Sequence, residues 1–242
     1  MPPGAAIAPG ILCGMATITN PIAAVRSPER RRQSLEGLAL LAAIVALMWV
    51  MEAINALDGK GLDAGGGIYP RNIDHLWAIF TSPFLHENFY PHLVDNTIPF
   101  VFMGVIIALR GAARLALVTL VVIVVGGLGT WLIAPAGTNT IGASGVVFGY
   151  ATYLFTRGLF DRSAMEVLIG VVVGVIWGGA LVSSIVPHTG VSWQAHACGA
   201  VGGVVAAWLL AGRHHQTRRG DGGEHPPAHR PLHDSLDRAL SQ

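Results

Sequence analysis

Charge is what this chain has least of. Only 12% of its 242 residues are Asp, Glu, Lys or Arg, about half the share of an ordinary soluble domain. Net charge is +1, so bulk electrostatics point to no nucleic-acid partner. Cysteine is nearly missing as well. Cys13 sits in a loose N-terminal segment and Cys198 in an apolar one, which implies neither a disulfide framework nor a cysteine metal site. Lysine is scarce beside arginine, alanine and glycine, a balance that suits a high-GC bacterial genome.

Apolar surface takes the place of charge. Hydrophobic residues make up 52% of the chain, and the mean hydropathy is +0.55. The expected class is an all-α integral membrane protein. The 31 glycines suggest closely packed membrane helices.

About 20 apolar residues at 1.5 Å each cross a hydrocarbon core of roughly 30 Å. Six stretches qualify: about 35–57, 92–109, 115–134, 144–160, 164–182 and 193–211. With the N-terminus inside, the inner segments hold Arg26, Arg30, Arg31, Arg32, Arg110, Arg114, Arg157, Arg162, Arg213 and the tail arginines. The outer loops hold only Lys60 and Arg71. That asymmetry predicts six spans, both termini cytoplasmic, in a bacterial cell membrane. Residues 1–34 read as a disordered cytoplasmic leader, 35–212 as the membrane domain and 213–242 as a disordered tail. No basic n-region precedes the first apolar residues, so no signal peptide is expected. The outer loop 58–91 mixes charges with Tyr69, Trp77 and Phe80, a composition for the membrane interface.

Two segments carry chemistry. Gly142, Gly145 and Gly149 share one face of the fourth span, and Ser144 stands beside that face at the helix entrance. Orphan N–H groups and the positive dipole end there suit an alkoxide or oxyanion. In the sixth span, His196, Gly199 and Gly203 fall at i, i+3 and i+7. If the two glycine faces meet, Ser144 and His196 come within reach, and the imidazole can take the serine proton. Polar residues inside hydrocarbon are costly and so are candidates for function. His92 and Asn96, at i and i+4 at the outer end of the second span, are side-chain donors for an oxyanion. No obvious acidic partner lies within the six spans near the outer face, Asp95 of the second span being the nearest candidate, so a dyad is expected.

Each motif also has a plainer reading. The glycine faces can serve packing alone, His196 can be a structural donor or proton relay, and His92 and Asn96 can be a solvated first turn. His86-Glu87 opens like a zinc-protease H-E-x-x-H, but its fifth residue is Tyr90. His75, His86, His92, His188 and His196 all fall on the outer side, yet no metal or other cofactor is expected.

Together these residues resemble the rhomboid intramembrane serine proteases over about 35–211. The match consists of G-A-S-G opening the fourth of six spans, A-H-x-x-G-x-x-x-G in the sixth and H-L-x-x-N opening the second. The resemblance implies a six-helix rhomboid-like bundle with Ser144 as nucleophile and His196 as general base. His92, Asn96 and the Ser144 N–H would stabilise the oxyanion, with His86 shaping the outer loop. Gly142, Gly145, Phe148, Gly199 and Gly203 would support the site. Substrates would be transmembrane proteins in the lipid bilayer, cut where their helices unwind. The fifth span, with Gly170 to Gly179 and no evident polar tie, would be a lateral gate, and the loop 183–192 a cap.

Departures exist. Ala78 stands where many members have Arg after Trp, leaving loop anchoring to another residue such as Arg71. Phe148 stands where many have Tyr, which keeps a ring under His196 but no hydroxyl. The spacing from His86 to His92 is one residue longer than the family pattern suggests. Two other readings compete: a catalytically inactive relative that binds membrane helices, and a small transporter using His and Asn. The second lacks paired broken spans.

Overall fold

The computed structural model describes residues 28–186 and 190–211. The leader ahead of residue 28, the tail from 212 and His188 lie outside the described residues. Six long helices dominate: α1 (Pro28–Leu57), α2 (Val94–Ala108), α3 (Ala112–Ile133), α4 (Ser144–Asp161), α5 (Ala164–Ile185) and α6 (Trp193–Leu210). Five of them are long and apolar enough to cross a membrane, α2 together with the turn Phe89–Leu93 before it; α4 does not meet that measure. The six-span expectation therefore stands only in its coarser form, a helical bundle with five candidate spans.

Burial explains the exception. Ten of the eighteen α4 residues are buried, including Tyr150, Tyr153 and Arg157. α4 packs against α2, α3, α5 and α6. A helix wrapped by its neighbours need not be apolar all round, because its polar groups find partners in the bundle. The Tyr150 hydroxyl pairs with Thr119 Oγ1 at 2.6 Å, and Thr152 Oγ1 donates to the Ala200 carbonyl at 2.7 Å. α5 is the opposite case: only Glu166, Gly170 and Val173 are buried along its length. Its outer face exposes Val175, Ile176 and Val182, apolar area that a soluble surface would not carry.

Local sequence sets the ends. Pro28 opens α1, where its missing N–H costs nothing, so the helix begins seven residues ahead of the expected span at 35 and includes the end of the expected leader. α1 buries Gly37, Leu41, Met48, Glu52 and Asn55, a stripe at helical spacing. Gly142, at φ +112°, makes the turn into α4 in a region that side chains avoid.

The outer loop is more ordered than its composition suggests. It contains a short helix, Gly61–Gly66, a two-turn 3-10 helix, Ile73–Ile79, and a single turn, Ser82–Phe84. Ile68 and Thr140 pair through both backbone bonds, at 2.9 and 3.0 Å. Arg71 Nη1 donates to the Leu132 and Ala134 carbonyls at 2.9 and 2.8 Å, capping the C-terminal end of α3 as a cation does well. Ala78 is fully buried. Arg71 thus ties this loop down, and the place of Ala78 has no room for an arginine.

α5 is tied at its base, contrary to expectation. Glu166 pairs with Arg110 of the α2–α3 turn and lies 3.6 Å from Arg157 of α4. Arg157 is only 3% exposed and also holds Asp161, at 3.0 Å.

Candidate active site

Two glycine faces bring α4 and α6 together. A Cβ on Gly199 would fall onto the Gly145 carbonyl, and one on Gly203 onto the Gly149 carbonyl. Backbone therefore lies on backbone, as small residues allow. Ser144 is the first residue of α4 and His196 stands in the first turn of α6. Both line one open cavity of about 980 Å³ at the end of the bundle where α4 and α6 begin, together with His92, Asn96, Phe148 and Ser184. No hydrogen bond joins the Ser144 hydroxyl to the His196 ring among the contacts of the described residues. Catalytic hydrogen bonds are often loose before substrate arrives.

The His196 ring is fixed on two sides. Phe148 stacks on it at 4.3 Å, with 9° between the planes. Its Nδ1 lies 2.8 Å from the Ser184 carbonyl in the last turn of α5. A carbonyl only accepts, so Nδ1 carries the proton and Nε2 carries the lone pair. Asp95 lines the cavity, but the partner of Nδ1 is this main-chain carbonyl. Sequence reasoning missed Ser184, because a carbonyl partner has no side-chain signature.

The His92 tautomer follows in the same way. The Glu87 N–H donates to His92 Nδ1 at 3.2 Å, which puts the ring proton of the neutral form on Nε2. That nitrogen lies 2.8 Å from where a Gly142 Cβ would stand, and Asn96 Nδ2 lies 3.9 Å from it. Asn96 spends one amide hydrogen on the His92 carbonyl, at 2.9 Å, and keeps a second. Two donors therefore meet beside Gly142, just ahead of Ser144, where the first N–H groups of α4 have no intrahelical partner.

His86 stands behind this pair rather than on the cavity. It is fully buried and packs edge-on against His92 at 5.0 Å. Its Nε2 accepts from the Ala143 N–H at 3.3 Å. Burial first, and the charge of His92 second, push its pKa down to about 3. The ring is therefore neutral and able to accept. His75 lies elsewhere, stacked on Trp77.

Comparison with known proteins adds a family. The family model described as Rhomboid domain matches residues 74–213. An uncharacterized protein of Mycobacterium tuberculosis (strain ATCC 25618 / H37Rv) is 39% identical over 218 residues, covering 85% of this chain and 90% of the relative. An uncharacterized protein of Mycobacterium leprae (strain TN) is 40% identical over 199 residues, 78% of each chain. A Bacillus subtilis (strain 168) protein that carries the name "Putative rhomboid protease YdcA" is 27% identical over 135 residues, 55% of this chain and 66% of that one.

Proposed function

Because the chain belongs to the rhomboid family, we propose that it is an intramembrane serine protease using Ser144 and His196. The observation that carries this reading is the cavity they share with the donors His92 and Asn96. Ser144 attacks a carbonyl in an unwound stretch of a substrate's membrane helix. His196 Nε2 takes the hydroxyl proton, while the Ser184 carbonyl steadies the ring through Nδ1. The tetrahedral oxyanion forms beside Gly142, toward His92 Nε2–H, the second Asn96 hydrogen and the Ser144 N–H. His196 then protonates the leaving amine, and water repeats the cycle on the acyl-enzyme. Helical peptide bonds are shielded, so substrates with helix-breaking Gly or Pro are favoured.

In this reading α4 also crosses the membrane, as the central fourth of six spans, with both termini cytoplasmic and the cavity facing outward. α5 is the side through which a substrate helix enters.

The test is cleavage of a helical-peptide substrate by purified protein in liposomes. Ser144→Ala and His196→Ala are expected to lose at least about 10³-fold in kcat. Variants that cleave as fast as the parent would sink the assignment. Binding of such helices without cleavage by the parent would favour an inactive helix-binding relative.

A further inference from the structure

Three polar residues sit together where α1 meets the outer loop. Glu52 and Asn55 are both fully buried, one turn apart on the inner stripe of α1. The turn after α1 places Gly59 and Lys60 at positive φ, +63° and +72°. This doubles the chain back so that Lys60 Nζ reaches Glu52 Oε1 at 2.7 Å. Asn55 Nδ2 lies 3.4 Å from Glu52 Oε2 and 3.4 Å from the His86 carbonyl. Both are acceptors, so the amide nitrogen must face them and Oδ1 must face the other way. There Oδ1 accepts the Asp63 N–H at 3.2 Å.

The two main-chain groups that Asn55 holds belong to two of the residues that hold the loop before Ser144, where Ile68 also pairs with Thr140 and the Ser82 carbonyl takes the Gly142 N–H. The His86 ring takes the Ala143 N–H at 3.3 Å. The Asp63 carbonyl takes Asn139 Nδ2 at 2.7 Å. One side chain on α1 thus grips two of the supports of residues 139–143. That stretch contains Gly142, beside which the oxyanion would form, and leads directly into the nucleophile.

We propose that Asn55, its amide oriented by the Glu52–Lys60 ion pair, is a positioning residue that holds the 139–143 loop and hence Ser144 in register with the oxyanion donors. The catalytic half of this statement rests on the protease reading; the structural half does not. Glu52, Asn55, Lys60 and Asp63 lie outside the stretch matched by the family model, 74–213, and give α1 a task beyond crossing the bilayer. Buried ionisable groups in a membrane helix are costly to keep, and this arrangement gives the cost a purpose.

The experiment uses the full chain in liposomes as parent, Asn55→Ala, Glu52→Gln and Leu57→Ala, the last an exposed control on the same helix. Amide exchange over 137–147 reads the grip, whether or not the protein is a protease. Labelling of Ser144 by a fluorophosphonate, scaled to folded protein, reads the chemistry. Asn55→Ala should raise exchange over 137–147 about tenfold and leave the α4–α6 contact unchanged. Its labelling rate and kcat should fall about tenfold or more, with KM within about twofold. Glu52→Gln should fall between, and Leu57→Ala should match the parent. A folded Asn55→Ala with parental exchange over 137–147 overturns the inference and leaves the protease reading untouched. So does exchange that rises equally along the whole chain, which marks Asn55 as a residue of general stability. A parent that never labels, with exchange still raised locally in Asn55→Ala, defeats the protease reading and upholds the grip on the loop.

Discussion

His86 shows how one side chain makes the site depend on pH. Its ring accepts the Ala143 N–H, which only a neutral imidazole can do, since both nitrogens of the cation are donors. Burial and His92 hold its pKa at about 3 in the folded chain, against about 6.5 unfolded. Between those two values the unfolded chain binds one more proton than the folded chain. Stability contributed by this residue is thus complete above about pH 6.5 and is lost as pH falls toward 3, by about 1.4 kcal/mol per unit. His86→Gln retains an acceptor for Ala143 and does not titrate. On acidification from pH 7 to 5, the parent should lose about 2 kcal/mol more stability than His86→Gln, read from denaturant melts in detergent. Parallel acid slopes would mean that His86 takes up its proton as readily when folded. Phe148 makes a separate point at this scale. Its stacking on His196 uses the ring face, so a phenylalanine supports the imidazole without a hydroxyl.

At the level of elements, glycine means different things in different helices. Gly199 and Gly203 lie against the carbonyls of Gly145 and Gly149, and a Cβ on either would collide with backbone. A Cβ on Gly145 would come 3.2 Å from the Ala195 carbonyl, a tighter approach than usual but not a collision. Gly174, Gly178 and Gly179 of α5 have open space around them. Gly199→Ala and Gly203→Ala must therefore drive α4 and α6 apart, costing about 1–3 kcal/mol or more and separating Ser144 from His196. Gly174→Ala and Gly178→Ala relieve a poor helix former and should be neutral or stabilising by up to about 1 kcal/mol. Melting temperatures and Ser144 labelling of the four variants would check this. Equal effects in the two groups would refute the backbone contact. The glycine spacing of α4 and α6 is legible in the sequence because a face repeats every three or four residues. Gly174, Gly178 and Gly179 of α5 look similar in the sequence, and only the neighbouring elements tell the two kinds apart. The hold at the base of α5 was illegible for a related reason: Arg110, Arg157 and Glu166 meet across three elements with no local pattern to mark them. Glu52 and Asn55 did leave a signal, as polar groups in an apolar run, but their partners lie in the turn, the short helix and the loop that follow.

At the scale of the whole molecule, long apolar runs made the helices legible to within a few residues at most ends. The order of the outer loop was not legible, since the Ala134 carbonyl, Thr140 and Asn139 hold it from distant segments. What remains for the whole molecule is the number of crossings, and α4 decides it. Its Arg157 and Asp161 and its tyrosines make it too polar by composition, but its neighbours cover it. Six crossings put both ends of the membrane domain on one side, and five put them on opposite sides. Arginine favours six, because Arg110, Arg114, Arg157 and Arg162 then share the inner face, with Lys60 and Arg71 outside. Single cysteines at two exposed sites flanking α4, Ala136→Cys and Ala164→Cys, test this once Cys13 and Cys198 are replaced by serine. A membrane-impermeant maleimide on intact cells should label position 136, as it should Ile73→Cys in the outer loop. Position 164 should label only after the cells are opened. Labelling of 136 and 164 from the same side would mean that α4 does not cross, and Ser144 could not then open an outward-facing site at one end of a spanning helix.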